Sequence, residues 1–205
     1  MRLLAKGRGA DVFDIGDGRV LRRCRYEGDV AKEAAVMRRL RADGFPVPAV
    51  FEASGRDLVM ERVPGPSLLA AMRSGDKGVV EASEIMLALH EKLRGAGILH
   101  LDLHPDNILL GPDGPVLIDW TNSAEGPPEL DAAVSALILA QVAVGEAELA
   151  GLAERLLREF APRTDAVTEL KRAVEYRRAN PTMTERELAD LDRAAELVRH
   201  VTAGR

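Results

Sequence analysis

The segment His100-Leu101-Asp102-Leu103-His104-Pro105-Asp106-Asn107 and the run that follows it, Val116-Leu117-Ile118-Asp119-Trp120, decide the reading of this chain. The first stretch interrupts a region whose apolar spacing is otherwise helical, and it sets a carboxylate and an amide in one loop. The second carboxylate, Asp119, closes a short apolar strand. Between them, Ile108 to Leu110 and Val116 to Ile118 flank Gly111-Pro112-Asp113-Gly114, a hairpin signature. The pattern therefore predicts that Asp102, Asn107 and Asp119 converge. Mg²⁺ is a hard ion that takes oxygen ligands, normally one or two carboxylates with water and substrate phosphates completing its shell. Asn107 and Asp119 suit that role, and Asp102 is placed to face a hydroxyl and direct its proton.

Working outward, the first 25 residues read as strands, with Gly16-Asp17-Gly18 as a tight hairpin turn before Val20 to Cys24. A helix is predicted from an Asp29 cap to just before Gly44, where Pro46 and Pro48 prevent continuation. Ala49 to Ala53 and Asp57 to Glu61 form a second hairpin around Ser54-Gly55. After Val63-Pro64-Gly65-Pro66 come short and long helices at Ser67 to Arg73 and Glu81 to Gly95. Leu130 to Val144 is apolar on nearly every face, as in a helix buried all round. Three amphipathic helices are predicted near 146–160, 164–178 and 184–200, the last opened by the capping box Thr184-x-x-Glu187.

Composition narrows the classes. A chain of 205 residues with 46% hydrophobic and 30% charged residues buries a core of its own, which sets disorder aside. The net charge of -5 is opposite in sign to the footprint of a dedicated nucleic-acid binder, so nucleic acid is not expected as a partner despite Arg19, Arg22, Arg23 and Arg25. Cys24 is the single cysteine and forms no internal disulfide. The start, MRLLAKGRGAD, lacks a signal-peptide apolar region. The most apolar stretch, Ala132 to Gly145, contains Ser135 and Gln141 and is too short to span a membrane. The expectation is a cytoplasmic protein with no membrane partner.

The spacing H-x-D-L-x-x-x-N followed by a strand ending in Asp resembles the catalytic and metal-binding loops of the protein-kinase-like fold. The wording "HLDLHPDNILL" and "VLIDW" resembles the aminoglycoside phosphotransferase branch. The resemblance implies an α+β, bilobal protein-kinase-like fold: a small β-rich N-lobe over 1–61, a hinge at 62–66 and a mainly helical C-lobe over 67–205. ATP and Mg²⁺ are the implied cofactors. Asp102 is the implied catalytic residue, and Asn107 and Asp119 the metal ligands. Glu33 in "AKEAAVMRRL" matches the helix glutamate that braces a phosphate-binding cation. That cation is normally a strand lysine; here Arg22 or Arg23 stands in its place, and the family pattern favours Arg22. Gly7 and Gly9 match a glycine-rich turn near phosphates, with Val12 where a third glycine is usual. Glu61 and Val63 in "LVMERVPG" match hinge residues that meet adenine, and Ile118 joins the nucleotide-binding set. Asp131 matches a structural aspartate beneath the catalytic loop, and His100 a residue bracing that loop.

The implied activity is ATP- and Mg-dependent transfer of the terminal phosphate to a hydroxyl of a small molecule. The short stretches around the loop resemble the RIO-type and related atypical kinases in size, which makes a protein acceptor the alternative. Replacement of the lysine by arginine motivates a third reading, a nucleotide-binding module with weak or lost catalysis.

Overall fold

Asp17 and Gly18 both take positive φ, +50° and +68°, and Gly16 pairs with Arg19 across them. This is the two-residue hairpin whose twist matches its flanking strands, and it joins β2 (Ala10–Gly16) to β3 (Arg19–Cys24). The computed structural model describes residues 1–25, 30–145 and 148–204. The expected Asp29 cap and the start of the helix predicted from 146 lie outside the described residues. The chain divides into two units, one comprising residues 1–66 and 108–123 and the other residues 67–107 and 124–205.

In the first unit, β1 (Arg2–Lys6), β2, β3, β4 (Val50–Ser54) and β5 (Asp57–Glu61) form an antiparallel sheet in the order β1-β2-β3-β5-β4. Because β3 is central, Val20, Leu21 and Arg22 are buried in succession rather than alternately. The alternation survives in what the arginines do: Arg22 is buried, whereas Arg23 forms an exposed two-pronged pair with Asp57. Helix α1 (Ala31–Ala42) turns Glu33, Ala34, Met37 and Leu40 inward at helical spacing and stops before Gly44, whose φ is +79°. The hairpin of β6 (Ile108–Gly111) and β7 (Gly114–Leu117) belongs to this unit through two hydrogen bonds: Leu110 N–H donates to Pro66 O and Leu117 N–H to Pro46 O. Trp120, fully buried, meets Phe45 edge to face and donates its indole N–H to Leu117 O, so its role is packing.

The second unit is helical. Ser67 caps α2 (Leu68–Ser74) by accepting from Ala70 N–H. Helix α3 (Val79–Ala96) ends at Gly97 with φ +65°. The pillar is α4 (Pro128–Val144), in which every residue from Leu130 to Gln141 is buried. It packs against α3, α5 (Ala150–Phe160), α6 (Leu170–Arg178) and α8 (Leu191–Ala203). The final predicted helix is divided at Asp190 into α7 (Glu185–Ala189) and α8, and the capping box at Thr184 and Glu187 is formed. An antiparallel sheet followed by a helical region is the expected α+β fold of kinase-like type. Among the described residues no helix is long and apolar enough to cross a membrane.

Candidate functional site

Two constellations of polar side chains stand out, one in each unit. In the first, β3 and α1 bring Arg22 and Glu33 together, and the chain just after β7 adds Asp119. Arg22 Nη1 donates to Glu33 Oε2 at 3.0 Å, and Nη2 donates to Asp119 Oδ1 at 2.8 Å and to Thr121 Oγ1 at 2.7 Å. Thr121 in turn donates to Asp119 Oδ1 at 2.9 Å. The guanidinium is buried, and its planar fork lets one cation serve two acids in different directions. Asp119 holds φ +64°, a strained value for a side-chain-bearing residue. Its carboxylate is 40% exposed and takes these bonds through Oδ1, leaving Oδ2 for another partner.

One cation facing two carboxylates leaves an excess negative charge. Burial pushes the Glu33 carboxyl above its ordinary range, and the nearby Asp119 pushes it further. Arg22, the Trp120 backbone N–H and Thr121 oppose this without cancelling it. Glu33 is thus the acid strained by its surroundings, and Asp119 the one left partly open.

The remaining first-unit candidates are placed as follows. Gly7 and Gly9 lie in the turn between β1 and β2, where Gly7 N–H donates to Ala10 O and Gly9 O accepts from Arg25 N–H. Glu61 ends β5, and its N–H is already donated to Ala49 O. Its side chain accepts from Ala49 N–H and pairs with Arg41, which occupies it within the sheet. Val63 lies beyond the strand and is half-buried, as is Ile118 immediately before Asp119.

In the second unit the loop 100–107 is built on a buried acid. Asp131, at the start of α4, accepts from Leu101 N–H at 2.6 Å, and His90 Nδ1 lies 3.2 Å from its other oxygen without hydrogen-bond alignment. Burial drives the Asp131 carboxyl upward, but His90, His100 and the Leu101 N–H together outweigh it and hold the group below the usual carboxylate range. Leu101 is held at φ +61° with its side chain buried, so the loop trades backbone strain for apolar packing. His100 is fully buried and its Nδ1 accepts from Asp102 N–H, a bracing contact.

Asp102 and Asn107 do meet. Asn107 Nδ2 donates to the Asp102 backbone O at 2.9 Å and to its Oδ2 at 3.3 Å. With its amide hydrogens committed to Asp102, Asn107 is left with its carbonyl oxygen as the atom to offer a cation. An amide oxygen such as this, like the open carboxylate oxygen of Asp119 in the first unit, is by its own chemistry a hard donor of the kind Mg²⁺ accepts. His104 Nε2 lies 3.9 Å from Asp102 Oδ2, and Ser67 donates to Asp106. Arg177, on α6, stands 4.0 Å from Asp102 Oδ1 and donates to Gln141, and the adjacent Tyr176 lies within the electrostatic reach of Asp102. Neither Arg177 nor Thr121 was anticipated. Thr121 was within reach of the sequence pattern, two places after Asp119, but nothing in linear spacing ties α6 to the loop. No cluster of three or more His, Cys, Asp and Glu able to hold a metal occurs among the described residues.

Fold and loop together define a kinase-like protein. More particularly, residues 13–130, over half of the chain, match the RIO domain model, and the chain belongs to that family. It is similar to "Putative cyclin-dependent kinase F-2" of Oryza sativa subsp. japonica, with 31% identity over 51% of this chain and 32% of that protein. It is also similar to "Putative serine/threonine-protein kinase YrzF" of Bacillus subtilis (strain 168), with 26% identity over 58% of this chain and 57% of that protein. The matches thus span about a third and just over half the length of these relatives. The expected aminoglycoside phosphotransferase branch is replaced by the RIO assignment. The match agrees with the kinase-like fold read from the His100-to-Asn107 spacing, and does not support the branch read from the wording of that loop and of Val116 to Trp120.

Proposed function

We propose that this protein is an ATP-dependent phosphotransferase of RIO type whose acceptor is a hydroxyl group of a protein. The observation that carries the reading is the buried Arg22, bonded at once to Glu33 and Asp119. These are the positions at which a kinase-like fold keeps its phosphate-binding cation, its bracing glutamate and its metal-binding aspartate. The RIO match and the kinase names of the relatives favour a protein acceptor over the small-molecule hydroxyl first expected.

In this reading Asp102 orients the acceptor. As its oxygen attacks the terminal phosphorus, the bond from that phosphorus to the ADP oxygen breaks, and the hydroxyl proton passes to the Asp102 carboxylate. Asn107 and Asp119 hold Mg²⁺, which when bound neutralises phosphate charge. Arg22, braced by Glu33, positions the phosphates. Gly7 and Gly9 approach the phosphates through their backbone, while Glu61, Val63 and Ile118 line the nucleotide. Little covalent work is asked of the chain, because positioning and charge complementarity supply most of the acceleration in this reaction class.

The test is transfer of label from γ-labelled ATP with Mg²⁺. Label is expected on serine or threonine of this protein or of an added protein partner. Asp119→Ala should lower transfer at least about 100-fold, with an unfolding midpoint close to that of the parent, since Arg22 keeps Glu33. Unaltered transfer in that variant would end the assignment. Label on a soluble metabolite would reject the protein acceptor, and ATP binding without any turnover would leave a nucleotide-binding module.

A further inference from the structure

Gln141 is out of character in its helix. Every residue from Leu130 to Gln141 is buried, and in a helix surrounded on all sides an amide needs partners for both of its ends. It has them. Gln141 Oε1 accepts from Arg177 Nε at 3.0 Å, and Gln141 Nε2 donates to Glu187 O at 3.2 Å. The two bonds fix the amide in one orientation, and the amide fixes Arg177.

Arg177 is held through Nε, and its guanidinium extends from there toward the loop. Nη1 faces Asp102 Oδ1 at 4.0 Å, while Asp102 Oδ2 accepts from Asn107. Each oxygen of the carboxylate is therefore addressed from a different element, one by the loop itself and one by α6. The arginine side chain is only 12% exposed, so its charge is weakly screened by solvent. A long flexible side chain on a surface would give no such constraint; one pinned by a buried amide does.

We infer that Arg177, anchored by Gln141, is a positioning residue that sets the orientation of the Asp102 carboxylate. The inference rests on the reading of Asp102 as the residue that orients the acceptor. Catalytic groups lose rate steeply when displaced by an ångström or so, so release of Arg177 should act on the chemical step and leave nucleotide binding alone.

The experiment measures Mg-ATP turnover and the KM for ATP in the full chain. Arg177→Gln is expected to lower kcat about 10- to 100-fold with KM for ATP within about twofold of the parent. Arg177→Lys should recover part of the loss. Gln141→Leu, which keeps the charge but frees it, should lower kcat in the same direction by less; it also serves as the second variant if removal of Arg177 unfolds α6. Because Arg177 acts through Asp102, adding Arg177→Gln to Asp102→Asn should cause no further fall in kcat. Parent-like kcat in Arg177→Gln, or a full additional loss in the Asp102→Asn background, overturns the inference while Asp102 keeps its role. Parent-like turnover in Asp102→Asn alone overturns the reading of Asp102 and the inference with it.

Discussion

Arg22 carries more than any other residue, because its single charge satisfies Glu33 and Asp119 together. Removing one member of a buried pair leaves the other unpaired, which costs about 3–5 kcal/mol. Arg22→Ala should therefore lower stability by roughly that amount, since Glu33 stays buried without its partner. Arg22→Lys restores the charge but replaces a planar fork by a point donor that cannot reach both acids in the same way. Its cost should be smaller, about 1–2 kcal/mol. Urea midpoints at neutral pH distinguish the two, and equal losses would show that the charge contributes nothing beyond the shape of the side chain. Period-two alternation puts Arg22 and Arg23 on opposite faces, while the preference for Arg22 as the phosphate-binding cation comes from the family pattern alone; the structure buries Arg22 and sends Arg23 outward to Asp57. Arg177 was not legible. Its partner in the loop lies far away in sequence, and only the packing of α6 on α4 brings it near.

Among the elements, the hairpins and α1 follow from local chemistry, and their order was readable because Gly, Pro and Asp mark each turn. The β6–β7 hairpin was recognised as a pair, whereas its attachment through Leu110 and Leu117 to Pro66 and Pro46 depends on long-range hydrogen bonds that leave no mark in composition. The break at Asp190 between α7 and α8 also escaped, since the capping box that opens α7 gives no sign of where the helix stops. Gly65 shows how closely the attachment is built. It sits at φ +128°, and a Cβ there would lie 2.1 Å from Leu110 O, a backbone atom that cannot swing aside. Gly75, which ends α2 at φ +85°, has nothing within 4 Å of the same position. Gly75→Ala should cost only the left-handed penalty of about 1–2 kcal/mol. Gly65→Ala adds a clash and should cost clearly more, on the order of 3 kcal/mol or above. Thermal unfolding of the two variants side by side checks this; a Gly65→Ala loss no larger than that of Gly75→Ala would contradict the close approach.

At the scale of the whole molecule, each unit holds a buried acid, Glu33 in the first and Asp131 in the second, and the two respond to pH in opposite senses. Glu33 has a folded pKa raised above its ordinary 4.5, chiefly by burial, so its favourable contribution is complete below that value and is lost as pH rises through the folded one. Asp131 is held below its ordinary 3.8, because His90, His100 and the Leu101 N–H outweigh burial; its contribution is present above 3.8 and is lost as pH falls through the folded value. Asp57 is also lowered by Arg23, but its pair is exposed and adds little. Stability should therefore decline on both sides of a maximum, with Asp131 shaping the acid limb and Glu33 the limb that begins above pH 4.5. Trp120, the sole tryptophan, lies in the first unit and its backbone N–H bonds Glu33, so its fluorescence follows that unit; helical circular dichroism weights the second. Glu33→Gln should flatten the fall of the urea midpoint above pH 4.5 and leave the acid limb as it was. Asp131→Asn should flatten the acid limb, at a general cost of about 1–3 kcal/mol for weakening a buried charged acceptor. An unchanged slope above pH 4.5 in Glu33→Gln would mean that Arg22 compensates Glu33 in full, and that Asp119 takes no share of the arginine charge.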